Sequence, residues 1–303
     1  MISIIGAGRV GSTIAQQLVL RGLDDLHLID IVKGLAKGQA LDLSQMASGS
    51  NSDITITGSD DYSSLNGSNL IVVPAGFART PDMTRLDLLS KNREIIKYAS
   101  EKIKEFAPSA MVLMVTNPVD VMTYLALKIT RFPRERVFGM GGLLDSLRFK
   151  TVMSAILGIS RGSLDTLVIG EHGENMLPLD RFSSSNGIPI RDLISKKGLE
   201  DAVLETRKSA AQVISLKGAT IFAPSQAVAT MVEAVVSDKK SLIPTSVLLE
   251  GEFGVHGICM GVPAILGAGG VERIIELELD ASEREQFAKG QASLTKAIGE
   301  MTV

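Results

Sequence analysis

"SIIGAGRVGS", Ser3 to Ser12, carries the pattern Gly6-x-Gly8-x-x-Gly11 between a β-branched run, Ile2–Ile5, and a segment with apolar residues at helical spacing. Each glycine has its own task in a strand–turn–helix that binds a dinucleotide. Gly6 permits the tight turn, Gly8 lets a pyrophosphate approach the backbone, and Gly11 lets the helix pack close to the sheet. The N-terminus of the helix then offers free N–H groups and the positive end of its dipole to phosphate. A second run, "DLHLID", ends in Asp30, 19 residues past Gly11. A carboxylate there binds the ribose hydroxyls of NAD and repels the 2′-phosphate of NADP, although Lys33 nearby could meet a phosphate.

Working outward, short apolar runs alternate with longer periodic segments through the first 140 or so residues. The runs are Ile2–Ile5, Asp25–Asp30, Asp53–Thr57, Leu70–Val73, Met111–Val115 and Arg136–Met140. Several are apolar on both faces, as strands of a covered parallel sheet must be. Val10, Ile14 and Leu18 fall at i, i+4, i+8, and Leu89, Ile96 and Ile103 recur within Leu86–Phe106. Strand–helix alternation implies right-handed crossovers and an α/β fold with a doubly wound parallel sheet.

The order of elements changes after Gly141. A helix near Leu143–Leu157 leads to a strand, "LDTLVIG", and then to a long helical stretch, Glu200–Val236, interrupted by Gly218 and Pro224. Two strand-like runs lie in "SLIPTSVLLEGEFGVHGICMGVP". A last helix starts at Ser282, which forms a capping-box pattern with Glu285, and its Phe287, Leu294 and Ile298 face inward. The boundary is placed at the glycine-rich "GMGG". It divides the chain into a dinucleotide-binding Rossmann domain, residues 1–141, and a C-terminal α+β substrate domain, residues 142–303.

The bulk properties restrict the function. The 303 residues suit one large unit or two domains, and a net charge of −3 argues against nucleic acid or an anionic membrane surface as partner. Cys259 is the only cysteine, so neither an intrachain disulfide nor a cysteine-based zinc site is expected, and no metal site is assigned. A reducing, cytoplasmic setting fits that usage. "MISIIGAGRVGS" has no basic stretch before an apolar run and does not read as a signal peptide. The most apolar stretch, "AMVLMVTNPVDVMTYLALKI", is interrupted by Asn117, Pro118 and Asp120 and reads as strand, turn and helix.

The chemistry-bearing residues cluster at strand ends. Of three histidines, His27 alternates within the second strand as a structural residue, and His256 lies in a glycine-rich strand region. His172, in "VIGEHGEN", sits where an apolar strand ends among glycines. Asp145 and Arg148, in "GMGGLLDSLRF", share a helix face at i, i+3. They are either a local ion pair or two groups with separate partners. In the second case Asp145 holds a histidine tautomer, and Arg148 grips a carboxylate with its two-pronged guanidinium. Asn117, in "VTNPVD", is a turn former before Pro118 or an amide that orients a substrate oxygen. Arg79 and Arg85, in "PAGFARTPDMTRLD", put two permanent positive charges just past an apolar strand.

"GAGRVGS", "LIDIVKGLAKGQALDL", "AGFARTPDMTRLDL", "VTNPVDVMTY", "GMGGLLDSLRF", "IGEHGEN" and "KGATIFAP" together resemble the malate/lactate dehydrogenase family, in order and spacing and over nearly the whole chain. The resemblance implies NAD-dependent oxidation of a 2-hydroxy acid, with malate as substrate and oxaloacetate as product, as in the tricarboxylic acid cycle. It makes His172 the general acid/base and Asp145 its carboxylate partner. Arg148 would bind the C1 carboxylate, and Arg85, on a mobile loop, would polarise the reacting carbonyl. Asn117 would contact cofactor and substrate. Gly6, Gly8, Arg9, Val10, Gly11, Asp30, Asn92 and Val115 would contact NAD. Arg79 falls where lactate enzymes typically carry Gln and malate enzymes Arg, so the second carboxylate of a dicarboxylate would pair with it. The family also implies a homo-oligomer, a tetramer before a dimer.

The sequence departs from the family pattern at Asp82, where Gly is usual and where a carboxylate could partly neutralise Arg79, and at Glu174, where Asp is common. Pro224 resembles the helix break that lines the substrate pocket. Two other readings compete. One is a lactate or broader 2-hydroxy-acid dehydrogenase, against which Arg79 argues. The other is a non-catalytic NAD-binding protein, which has no need of His172, Asp145, Arg148, Arg85 and Arg79 together. A phosphate-binding NTPase would need G-x-x-x-x-G-K-[ST], which is absent.

Overall fold

A computed structural model describes residues 1–77 and 85–301, the side chains of residues 85–87 excepted. Arg79 and Asp82 lie outside the described residues, as does the side chain of Arg85.

The first half runs β1 (Ile2–Ile5), α1 (Arg9–Arg21), β2 (Leu26–Ile29), α2 (Leu35–Gly49), β3 (Ile56–Ser59), β4 (Leu70–Val73), α3 (Arg85–Phe106), β5 (Met111–Met114), α4 (Val119–Thr130) and β6 (Val137–Gly139). These six strands lie in the order β3-β2-β1-β4-β5-β6, all parallel. The order reverses between β1 and β4, so the crevice at the carboxyl ends of these two strands is where a ligand of such a sheet binds. Every residue of β1, β2 and β4 is buried, because helices cover both faces.

The second half continues with α5 (Gly142–Leu157), β7 (Leu164–Asp165), β8 (Val168–Gly170), β9 (Met176–Pro178), β10 (Ser184–Ser185), β11 (Ile188–Pro189), α6 (Ile190–Leu193), α7 (Lys196–Lys217), α8 (Phe222–Val236), β12 (Ser241–Glu250), β13 (His256–Gly267), β14 (Gly270–Ile274) and α9 (Ala281–Glu300). The β12–β13 hairpin extends the sheet, with β8 and β9 beyond it, and β12 joins β6 through the pair Ser246↔Gly139. The chain is thus an α/β protein with a Rossmann-type parallel half and an antiparallel second half. The helix stripes fall as the spacing predicts: Ile14, Leu18, Leu89, Ile96 and Ile103 are all buried.

Four details differ from the sequence expectation. β3 begins at Ile56, not Asp53, because its parallel register with β2 starts at Leu26↔Ile56. "LDTLVIG" is two strands in two sheets. Between them, the Leu167 N–H donates to the Ser183 hydroxyl, and at the start of β8 the Val168 N–H donates to the Ser146 hydroxyl, which ends the ladder. The capping box of the last helix is Asp280 with Glu283, two residues before the Ser282–Glu285 pattern. Finally, Gly218 alone ends α7, in a left-handed conformation. Pro224 lies inside the first turn of α8, where an N–H has no helical acceptor to lose.

Candidate active site

The glycine turn ends β1. Gly6 has φ +107°, and a Cβ there would lie 2.9 Å from the Ala75 backbone, so both conformation and space demand glycine. A Cβ on Gly11 would overlap the Gly6 carbonyl oxygen, which is how closely α1 sits on the turn. By contrast, nothing lies within 4 Å of a Cβ placed on Gly8, so the backbone there faces open space. Gly8 is the N-cap of α1, and no side chain caps that helix. Gly11→Ala should therefore destabilise the fold by about 1–3 kcal/mol, as overpacking does, whereas Gly8→Ala should leave stability nearly unchanged. Urea unfolding of both variants checks this.

Asp30 directly follows β2 and turns back to the glycine turn. One carboxylate oxygen accepts from the Ala7 N–H at 2.7 Å and the other from the Val32 N–H at 2.9 Å. Arg9 is exposed and Val10 half-buried at the open end of α1, and Val115 is buried just past β5. An open glycine backbone, an uncapped helix N-terminus and a nearby carboxylate suit a dinucleotide's pyrophosphate and ribose.

Asn92 is fully buried on α3. Its amide oxygen accepts from the Phe77 N–H at 2.7 Å, and its NH2 group donates to the Asn117 carbonyl at 2.7 Å and to the Phe77 carbonyl at 3.3 Å. The side chain ties the segment leaving β4 to the turn after β5, where the exposed Asn117 precedes Pro118. The Thr116 hydroxyl adds a second tie, within 2.6 Å of the Ala75 carbonyl and 2.9 Å of that of Val73.

Across from this turn, α5 brings up Asp145 and β8 delivers His172. The His172 Nδ1 lies 2.6 Å from the Asp145 Oδ2. A carboxylate only accepts, so Nδ1 carries the hydrogen and Nε2 is left for an outside partner. The other Asp145 oxygen accepts from an Arg148 terminal nitrogen at 3.0 Å. The local ion pair is therefore present, and Asp145 also meets the histidine, with one oxygen for each partner. Asp145 is 1% exposed and Arg148 13%, so their charges meet in a poorly solvated place. Burial pushes the His172 pKa down, but the Asp145 carboxylate outweighs it and holds the imidazolium above the ordinary histidine value. Gly141 keeps this approach possible, because a Cβ there would come within 3.0 Å of the His172 Cβ.

The sequence reading passed over Asp120. In the first turn of α4 it is 2% exposed. One oxygen accepts from the His172 backbone N–H at 2.8 Å and the other from the Ser246 hydroxyl at 2.6 Å. Its signal was present in "VDVMTYLAL", as one carboxylate inside an otherwise apolar helix start. The other histidines stand apart. His27 is buried between the Thr57 and Ser64 hydroxyls, and His256 is exposed at the start of β13. Among the described residues no group of three or more His, Cys, Asp or Glu could hold a metal ion, and no helix is long and apolar enough to cross a membrane.

Comparison with known proteins gives one answer along the chain. Residues 1–139 match the family model of the lactate/malate dehydrogenase NAD binding domain, and residues 143–302 that of the lactate/malate dehydrogenase alpha/beta C-terminal domain. The chain is 44% identical over 295 residues to a malate dehydrogenase of Desulforudis audaxviator, covering 97% of this chain and 96% of that one. The solved malate dehydrogenase from Aeropyrum pernix superposes with a TM-score of 0.97 at 42% identity, covering 99% of this chain and 98% of that one. A lactate dehydrogenase from Cryptosporidium parvum, solved with lactic acid and nicotinamide adenine dinucleotide, superposes with a TM-score of 0.95 at 33% identity, covering 99% and 97%. The chain belongs to the lactate/malate dehydrogenase family.

Proposed function

We propose that this chain is an NAD-dependent malate dehydrogenase that interconverts malate and oxaloacetate. The observation that carries the reading is the His172–Asp145 pair, 2.6 Å apart beside Arg148, at the C-terminal edge of a sheet that also carries the glycine turn. Relatives called malate dehydrogenases at up to 44% identity support the choice of substrate. So does Arg79, whose charge suits a second carboxylate.

The residues suited to the cofactor are Gly6, Gly8, Arg9, Val10, Gly11 and Asp30 at the glycine turn, with Asn92, Val115 and Asn117 on the next strand ends. These residues would hold NAD, which would supply the hydride acceptor as C2 of malate becomes the carbonyl of oxaloacetate. Neutral His172 takes the C2 hydroxyl proton on Nε2, and Asp145 stabilises the imidazolium that forms. In the reverse direction protonated His172 returns that proton. Arg148 holds the C1 carboxylate while remaining paired with Asp145, and Arg85 polarises the carbonyl. The domain boundary falls near residue 142, between the end of β6 at Gly139 and the start of α5 at Gly142, a division that the extents of the two family models support. The family resemblance supports a cytoplasmic homo-oligomer, a tetramer before a dimer, acting in the tricarboxylic acid cycle.

Lactate dehydrogenases superpose almost as well as malate dehydrogenases, so the substrate must be tested directly. NADH oxidation is followed with oxaloacetate and pyruvate in parallel, and with NADPH as second cofactor. Strong preference for oxaloacetate with NADH is expected, and preference for pyruvate would overturn the reading. The pH dependence follows from His172. Oxaloacetate reduction needs the protonated ring, whose pKa is raised above 6.5. Reduction kcat/KM should therefore be level below that raised value and fall about tenfold per pH unit above it, while malate oxidation rises to a plateau over the same range. A reduction profile that increases with pH would contradict the assignment.

A further inference from the structure

We propose that Asp120 is a positioning residue for the reaction, a buried carboxylate that holds the His172 backbone from behind, adds its negative charge to that of Asp145, and locks the histidine to the Asn117 turn. The inference rests on the reading of His172 as the proton-transferring group.

The geometry is a continuous line of contacts across the sheet. Asn92 holds Phe77 and the Asn117 carbonyl. Asp120 follows three residues later, in the first turn of α4. Its two oxygens reach opposite partners, the His172 N–H on the β8 side and the Ser246 hydroxyl of β12. Ser246 is also the residue through which β12 pairs with Gly139 of β6. One side chain therefore fixes a distance that no single strand or helix sets, that between the turn of Asn117 and the ring of His172. Reaction rates respond steeply to such distances, and a misplacement of about 1 Å can cost about 10²-fold.

A hydroxyl or amide could make similar hydrogen bonds, so the charge itself calls for an account. Full burial disfavours an ionised carboxylate, and the Asp120 pKa is pushed up to about 6 by that desolvation, against the Ser246 and His172 hydrogen bonds that hold it down. The group is thus mainly charged in the range where His172 titrates, and its charge favours the imidazolium. The charged and titratable groups around the pair are Asp145 and Arg148 from α5, Glu171 beside His172, and Cys259 from β13. Arg148 opposes the imidazolium and the carboxylates of Asp145 and Asp120 favour it. Among the described residues Asp145 is the one hydrogen-bonded to the ring, while Asp120 acts from the backbone side.

The test is a titration of the histidine ring signals by NMR in the full-length protein, with the His172 signal assigned by its loss in His172→Asn. Asp120→Asn keeps the shape, an acceptor for the His172 N–H and a donor toward Ser246, but removes the charge. The His172 midpoint is expected to fall by about half a pH unit or more, with the NADH Kd unchanged. Asp120→Ala also removes both hydrogen bonds, and its kcat is expected to fall about 10²-fold, with Asn in that position restoring most of the loss. Ser246→Ala keeps the carboxyl group but removes one of the two hydrogen bonds that favour its charged form, so kcat should drop and the His172 midpoint should fall by less than in Asp120→Asn. It serves in place of Asp120→Ala if that variant does not fold. A His172 midpoint in Asp120→Asn equal to that of the parent would overturn the proposal. Absence of turnover in the parent protein would instead defeat the dehydrogenase reading, and the titration would still decide the role of Asp120.

Discussion

Replacing His172 by Asn is expected to lower kcat about 10³- to 10⁴-fold in both directions while leaving the NADH Kd within about twofold, the range that general acid–base groups supply. The physical ground is specific to this site. The Asp145 Oδ2 fixes the hydrogen of His172 on Nδ1, so in the proposed reaction Nε2 is the atom that would give or take the substrate proton. An asparagine amide has no basic nitrogen and cannot carry that proton. The substitution leaves the rest of the site in place, because the residue 172 N–H still reaches Asp120 and Arg148 still pairs with Asp145. The glycine turn follows β1, and β4, β5, β6, β12 and β13 lie between β1 and β8 in the sheet, so cofactor affinity should not follow kcat. Single-turnover kinetics with a direct NADH titration separates the two quantities. Turnover within tenfold of the parent would remove His172 from the mechanism.

Arg79→Gln should reverse the choice between substrates. Oxaloacetate kcat/KM is expected to fall about 10³-fold and pyruvate kcat/KM to rise, because the proposed pairing of Arg79 with the second carboxylate is lost. If Arg79 takes the second carboxylate as proposed, pyruvate leaves that guanidinium without a partner, and a desolvated unpaired charge costs several kcal/mol. With Gln present, oxaloacetate carries the unpaired charge instead. Arg79 lies outside the described residues, and the prediction draws on its place in the sequence between two fixed points. On one side Phe77 is held by the buried Asn92, and on the other α3 begins at Arg85. Measuring both substrates on both proteins distinguishes this role from that of a surface charge, since a surface charge would move both substrates alike or not at all.

The two substitutions differ in how legible their grounds were. Arg79 was readable by itself only as a charge just past an apolar strand, and the family resemblance made it the position that separates malate from lactate enzymes. His172 was singled out by its position at the end of an apolar run among glycines, and the tertiary structure supplied its partner from α5. Asn92 came from the family pattern, but the structure gives its amide groups a task at the backbone of Phe77 and Asn117 that no pattern carries.

The sequence by itself determined the local backbone and the hydrophobic pattern. A doubly apolar strand can be stable only inside a covered sheet, and a glycine with φ +107° against Ala75 admits no other residue. Those requirements act within a few residues, so the Rossmann half, the glycine turn and the helix stripes could be read directly. The tertiary structure alone decided matters that join residues far apart in the chain. It split "LDTLVIG" between two sheets through Ser146 and Ser183, shared Asp145 between Arg148 and His172, and set Asp120 behind the histidine. A carboxylate's nearest donor is fixed by how helices and strands pack, and partners 27 or 52 residues apart leave no periodic trace of that packing in the sequence.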